Sequence, residues 1–247
     1  MTPGRPAAPD FAAIAPRYDE LRPSDPAWLA ACHTLLREAS VAGRRVLDVG
    51  CGTGKVVAEL VTTAARVWGV DASEDMLAVA RAKLPPTVGL KLARAEALPF
   101  RPGFFDVVTM AFVVHLVDRQ QAFAEARRVL DAEGRLAIWS ADPDGIERVY
   151  LARLFPSYLQ VERARFPSAD GFGEELRAAG FHGIRVTRIS HPVEARKEEV
   201  LERLRGGYVS TLQLLDPGEY EAGVERAARE LPDPVRYERP GLIVVAE

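Results

Sequence analysis

One stretch, Val46-Leu47-Asp48-Val49-Gly50-Cys51-Gly52-Thr53-Gly54-Lys55, constrains what this chain can fold into more than any other. Arg45–Val49 is a short apolar run closed by Gly50, the pattern of a buried strand. The glycines that follow let the backbone take angles closed to other residues, and they let a ligand approach without meeting a Cβ. Helical spacing resumes at Lys55 and runs to Ala65. A strand that enters a glycine turn and leaves it as a helix belongs in a doubly wound sheet. There the turn lies at the carboxyl end of the first strand, beside the switch point where ligands bind.

The alternation continues along the chain. Arg66–Val70 reads as a second strand ending at Asp71, and Ser73 can cap a helix over Glu74–Lys83 whose first turn carries Glu74 and Asp75. Leu90–Ala93 and Phe105–Ala111 read as the third and fourth strands. A helix over Ala122–Leu130 ends near Gly134, and Arg135–Ser140 makes a fifth strand. Strand and helix in this order predict right-handed βαβ units and a parallel sheet with helices on both faces. Beyond Ser140 the regularity breaks into a helix over Ile146–Leu159, another over Gly173–Ala179, a sixth strand at Ile184–Ile189 and a seventh at Gly241–Ala246. Residues 192–236 read as charged and helical, with breaks at Gly206-Gly207 and Pro217-Gly218.

The expected fold is therefore α/β, a doubly wound, seven-stranded, mostly parallel sheet with helical cap insertions. One domain over residues 1–247 is expected, without a second hydrophobic core. Its core takes about 41–141 plus 171–191 and 237–247, and its cap takes 11–40, 142–170 and 192–236. Residues 1–10 read as a disordered lead. Phe11–Ser40 reads as two helical pieces interrupted by Pro16, Pro23 and Pro26, with Asp25-Pro26 as a helix start.

Composition narrows the function. The chain has 247 residues, a net charge of −3 and an isoelectric point near 5.9, with no whole-chain footprint for nucleic acid. Cys32 and Cys51 with four histidines form no zinc spacing, so no metal is expected, and Cys51 between two glycines is poorly placed for a crosslink. The start of the chain lacks the apolar core of a signal peptide, and no run of 18 or more apolar residues occurs, so a cytoplasmic protein without a membrane partner is expected. As to its assembly, a monomer or homodimer is expected.

The glycine turn admits three readings. A phosphate loop requires Gly-x4-Gly-Lys-Ser/Thr, and here Val56 follows Gly54-Lys55 with no glycine at position 49. A dinucleotide fingerprint requires Gly-x-Gly-x-x-Gly, and Lys55 stands where its third glycine belongs. The observed Gly50-x-Gly52-x-Gly54, with Asp48 two residues ahead, resembles motif I of the class I S-adenosylmethionine (SAM)-dependent methyltransferases. Asp71 falls about 20 residues beyond the loop at the end of the next strand, where an acid accepts from both hydroxyls of a ribose.

The resemblance extends over about residues 45–141. Ala95-Glu96-Ala97-Leu98-Pro99-Phe100 is similar to the adenine-side motif of this superfamily, commonly Asp-Ala-Glu-x-Leu-Pro-Phe, with Arg94 standing in place of the Asp. Phe104-Phe105-Asp106-Val107-Val108 resembles the fourth-strand motif, and Arg128-Val129-Leu130-x3-Gly134 is also family-like; both are read as structural. Ala15-Pro16-Arg17-Tyr18-Asp19 resembles an N-terminal lid motif whose tyrosine covers the methionine end of the cofactor. His115 follows the fourth strand, at a position that commonly lines the cofactor or substrate cavity.

What the resemblance implies is a Rossmann-like fold, SAM as cofactor and methyl transfer to a small-molecule acceptor, with a core of the ubiquinone/menaquinone-methyltransferase type. The implied cofactor site comprises Tyr18, Asp48, Gly50, Cys51, Gly52, Gly54, Asp71, Ala72, Met76, Ala95, Glu96, Ala111 and His115; no catalytic residue is assigned. SAM carries a sulfonium and an ammonium but no phosphate, so acids beside the loop help, and Asp48 is placed to attract the cationic methionine portion. The acceptor falls to the cap, with Tyr150, Phe155, Tyr158, Phe166 and Tyr208 as candidate walls and Arg165, Arg196, Arg203 or Arg205 as partners for an acidic group. A SAM- or nucleoside-binding regulatory protein and an NAD-dependent oxidoreductase stay open as alternatives at this point.

Overall fold

The computed structural model describes Phe11 and residues 14–247. The expected disordered lead at residues 1–10 lies outside the described residues. The chain enters through a single 3-10 turn, Ala15–Arg17, and the helices α1 (Tyr18–Leu21) and α2 (Pro26–Ala39). β1 (Arg45–Val49), α3 (Lys55–Leu60), β2 (Arg66–Asp71), α4 (Glu74–Lys83), β3 (Gly89–Leu92), β4 (Phe105–Ala111), α5 (Arg119–Val129) and β5 (Leu130–Ser140) follow in strict alternation but for the missing β3–β4 helix. Then come α6 (Tyr150–Leu154), α7 (Tyr158–Arg165), α8 (Ala169–Ala178), β6 (Arg185–Ala195), α9 (Lys197–Arg205), α10 (Pro217–Glu230) and β7 (Val235–Ala246).

The seven strands form one sheet in the order β3-β2-β1-β4-β5-β7-β6. β1 pairs in parallel with β2 and β4, while β7 runs antiparallel between β5 and β6. Strand order reverses between β1 and β4, which opens a crevice at their carboxyl ends. The central strands are apolar on both sides, as strands covered by helices on each face must be. Alternation divides them: Leu47, Val108, Leu136 and Ile138 face one layer, packed with Phe123 of α5 and Phe172 of α8. Val46, Val107, Ala137 and Trp139 face the other, packed with Leu35 of α2 and Leu60 of α3.

Several element boundaries depart from the sequence expectation, each for a local reason. α3 stops at Leu60 rather than Ala65, because Thr62 bonds back to the Glu59 carbonyl (2.7 Å) in a β-branched run, Val61-Thr62-Thr63. α5 starts earlier, at Arg119, under an Asp118 cap that accepts from Gln121 N (3.1 Å). α8 likewise starts at Ala169, capped by Ser168. β5 begins at Leu130 instead of Arg135, since Leu130 pairs with Phe105 ahead of a register shift. The helix expected over 146–159 breaks into a 3-10 turn (Ile146–Arg148), α6 and α7, with the extended Phe155 preceding Pro156. Pro217 opens α10 under an Asp216 cap rather than breaking a helix.

The largest departure concerns the cap. Residues 192–195 and 235–236 are not helical: β6 and β7 run on together to Ala195↔Val235, hidden in sequence by exposed pairs such as Arg236–Glu194 (2.6 Å). This ladder carries a third apolar cluster, in which Leu154 and Phe155 meet Leu201, Leu204, Ala227 and Val235. The expectation of no second core therefore fails, because the cap helices bury their faces against one another and against these strand extensions.

Candidate functional site

The glycine turn is stitched to the sheet by its own amides, Gly50 N (2.8 Å) and Cys51 N (3.0 Å) donating to the Val70 carbonyl at the end of β2. The three glycines serve different ends. A Cβ on Gly50 would lie 2.5 Å from Val113 Cγ2, so the loop and the β4 exit touch backbone to side chain there. Gly52 has φ +52°, and a Cβ on it would meet nothing within 4 Å, because it would point into open cleft. Gly54 is buried, and its Cβ position is 2.7 Å from Leu84 Cδ1, which seats α3 against α4. Gly54 does not line the cleft, unlike the rest of the loop.

Two connected chambers open at the carboxyl ends of the strands. The larger, about 610 Å³, is walled by Gly50, Gly52, Asp71, Ala72, Met76, Ala95, Glu96, Ala111 and His115, with Tyr18 over it. The smaller, about 250 Å³, has Asp48 and Cys51 in its wall. Tyr18, Arg22, Gly50, Gly52, Ala111, Phe112, His115 and Ser210 belong to both. Twelve of the thirteen residues implied from sequence thus converge on one cleft, with Gly54 the exception.

The carboxylates are strongly conditioned. Asp71 Oδ2 accepts from Gly52 N (2.8 Å) and Oδ1 from Ser73 N (2.9 Å), so the same group that faces the chamber also holds the glycine loop in shape. Burial raises its pKa, against these hydrogen bonds. Asp48 accepts from Thr109 Oγ1 (2.6 Å) and is 2% exposed; burial pushes its pKa up to about 7. Glu96 accepts from Asp118 N (3.0 Å) and from Arg94 (3.2 Å), which ties the Ala95–Phe100 turn to the start of α5. Asp106 sits at the opposite end of β4, accepting from Arg45 N (2.7 Å) and its guanidinium, which holds its pKa down at about 2; its role is structural.

The smaller chamber is aromatic, with Trp28, Trp139, Tyr158, Phe166, Tyr208 and Tyr237 in its wall. Of the expected acceptor walls, Tyr158, Phe166 and Tyr208 are here, and Arg203 with them, while Arg165 faces the larger chamber. Tyr150 and Phe155 instead serve the cap's own core, and Arg196 and Arg205 pair outward with Glu199 and Glu198.

Other groups in the wall carry no sequence signal. Arg239 reaches Asp25 with two bonds (2.9 and 2.7 Å), and buried Glu162 accepts from Thr211. Phe112 takes φ +52°, rare for a bulky side chain, and packs on Trp139 at 5.0 Å. The Tyr18 segment is fastened by polar contacts: Thr53 Oγ1 donates to Asp19 (2.6 Å), Lys83 pairs with Asp19, and Arg22 Nε donates to the Tyr208 carbonyl (2.5 Å). Lys55 donates to the Arg22 carbonyl (2.5 Å) and lies over Trp28 (4.4 Å), and burial lowers its pKa to about 8.

A parallel α/β sheet with a glycine turn at its switch point and an acid closing the next strand defines a nucleoside-cofactor protein. Residues 47–138 match the methyltransferase domain family model. The chain is 30% identical over 207 residues to the ubiquinone/menaquinone biosynthesis C-methyltransferase UbiE of Geotalea uraniireducens, covering 71% of this chain and 87% of that protein. It is 35% identical over 202 residues to the demethylmenaquinone methyltransferase of Thermus thermophilus, covering 69% and 90%. A Haemonchus contortus phosphoethanolamine N-methyltransferase 2, solved with phosphomonomethylethanolamine and S-adenosylhomocysteine, shares the fold at a TM-score of 0.62 and 20% identity, over 96% of this chain and 57% of that one. The chain belongs to the class I SAM-dependent methyltransferases. It is an enzyme of that family, and its cofactor is SAM.

Proposed function

We propose that the larger chamber holds SAM and the smaller one a small, largely apolar methyl acceptor. The observation that carries this reading is the meeting of the two chambers across Gly50, Gly52, Ala111 and His115. A methyl group carried at that junction faces the acceptor directly. The cradle suits the cofactor, since Gly52 leaves open space beside the loop for a ligand to approach the backbone, and the acids nearby suit a cation. Bound SAM supplies a sulfonium-activated methyl; alignment and exclusion of water fall to the protein. Asp71 accepts from the ribose, Met76 and Ala95 flank the adenine, and the cationic methionine end reaches across the junction toward Asp48 in the wall of the smaller chamber. Among the described residues no helix is long and apolar enough to cross a membrane. A cytoplasmic setting is part of the same reading, in keeping with the two free cysteines.

The aromatic wall suits a flat acceptor, and the two relatives named above carry quinone-ring names. Calorimetric titration with SAM, S-adenosylhomocysteine and NAD tests the cofactor assignment, and micromolar binding of the first two alone is expected. S-adenosylhomocysteine release over a panel of phenols, quinols, amines and small acids then tests catalysis. Binding of NAD but not SAM would sink the proposal.

Two smaller predictions arise from the wall. Glu96→Gln keeps the carbonyl oxygen that Asp118 N needs, so SAM affinity should stay within about threefold, under about 0.7 kcal/mol. A loss beyond tenfold would mean that Glu96 reads the adenine itself. Asp48 is neutral below about 7 and ionised above, so affinity for the cationic cofactor should rise by up to about tenfold from pH 6 to 8. Asp48→Asn should flatten that rise. Stability has the opposite sign: unfolded chains ionise this group near 3.8, so the ligand-free fold loses stability as pH climbs from there to about 7.

A further inference from the structure

His115 belongs to both chambers, and the cap clamps it there. Phe166 stacks on the imidazole at 4.2 Å with 27° between the planes. Nδ1 is buried without a hydrogen-bond partner among the described residues, so the ring's polar contact is made through Nε2, on the side of Ser210. Nε2 faces Ser210 Oγ at 3.4 Å, longer than a good hydrogen bond.

The single proton of a neutral imidazole must sit on one of these nitrogens. A buried N–H without an acceptor is a costly orphan, and a buried lone pair is the cheaper one. The proton therefore belongs on Nε2, the nitrogen that faces Ser210. Ser210 Oγ already accepts from Arg165 Nη2 (3.1 Å), which leaves its hydroxyl hydrogen free to turn toward the junction. Burial, and after it the nearby cations Arg165, Arg22 and Arg119, hold the ring well below its ordinary pKa and so neutral. Thr211 engages Glu162, the nearby carboxylate.

We propose that His115 Nε2–H and Ser210 O–H form a donor pair that grips an oxygen of the methyl acceptor, an ionised hydroxyl or a carbonyl, at the junction of the chambers. His115 is then a specificity-determining donor and not the group that removes the acceptor's proton. The inference rests on the assignment of the smaller chamber to the acceptor, and it selects acceptors with a lone-pair oxygen beside the reacting atom over amines.

Two measurements test it. Nitrogen NMR of the histidine-labelled protein, with and without S-adenosylhomocysteine, should show His115 with Nε2 protonated and Nδ1 bare. A proton on Nδ1, or an imidazolium near neutral pH, overturns the proposal; neither result depends on the cofactor assignment. The second uses 4-nitrophenol, whose phenol and phenolate forms absorb differently, with protein saturated in S-adenosylhomocysteine. The phenolate should bind preferentially, and His115→Phe, which keeps the stack but loses the donor, should weaken it about tenfold. His115→Gln should recover most of that loss, and Ser210→Ala should cost less than His115→Phe. Preference for the neutral phenol, unchanged binding by His115→Phe, or no binding to protein that titrates normally with S-adenosylhomocysteine overturns the proposal. Failure of that cofactor titration counts against the chamber assignment instead, and the NMR result then decides His115 alone.

Discussion

Gly52→Val should abolish measurable SAM binding while the protein stays folded. At φ +52° a β-branched residue is strained, and its side chain would project into a cleft where nothing stands within 4 Å. Strain alone costs about 1–3 kcal/mol. The larger effect is occlusion: the methyls fill the space closest to the loop, and the ligand loses contact along its whole length. A fall of more than about a hundredfold in affinity, or about 2.7 kcal/mol, is expected by calorimetry. Gly52→Ala should fall between, since one methyl occludes less. Circular dichroism on the same samples guards the interpretation, and a folded Gly52→Val that binds SAM normally would remove the loop from the cofactor site.

Asp71→Ala ranks second. The carboxylate accepts from Gly52 N and Ser73 N in the structure, so its loss both frees the loop and removes the acceptor proposed for the ribose diol. Losing charged hydrogen bonds of this kind costs roughly 1.5–3 kcal/mol, more than tenfold in affinity. Asp71→Asn should be milder, because its carbonyl oxygen can keep one backbone bond but its amide cannot accept. Binding of S-adenosylhomocysteine should fall in parallel, since the product retains the ribose. If both ligands bind Asp71→Ala as they bind the parent, Asp71 is a loop brace and helix cap only. Ser73 already accepts from Met76 N (3.3 Å), which is why the helix should survive either change.

How much of this was legible beforehand depends on the range of the interaction involved. β1, β4 and α4 stand where periodicity placed them, because buried strands and capped helices are written in contiguous residues. Asp71 and the glycine turn were legible for the same reason: strand end, turn and helix start are neighbours along the chain. The reading weakened where contacts are distant. Arg239 and Asp25 are 214 positions apart, and no local pattern announces their pairing in the chamber wall. The cap's separate core was missed because its helices share a solvated, charged alternation with ordinary surface helices, and only their mutual packing reveals the buried faces.

By itself, then, the sequence determined the order of the elements through β5, the mostly parallel sheet and the position of the loop and its acids, all of which follow from period, turn chemistry and spacing. Only the tertiary structure decided which way each group faces. It turned Gly54 against α4 while leaving Gly52 open to the cleft, extended β6 and β7 into the cap, and set His115 between two chambers under Phe166. The physical reason is that a residue's local conformation is set by its neighbours in sequence, whereas what its side chain touches is set by which distant surfaces must be buried together.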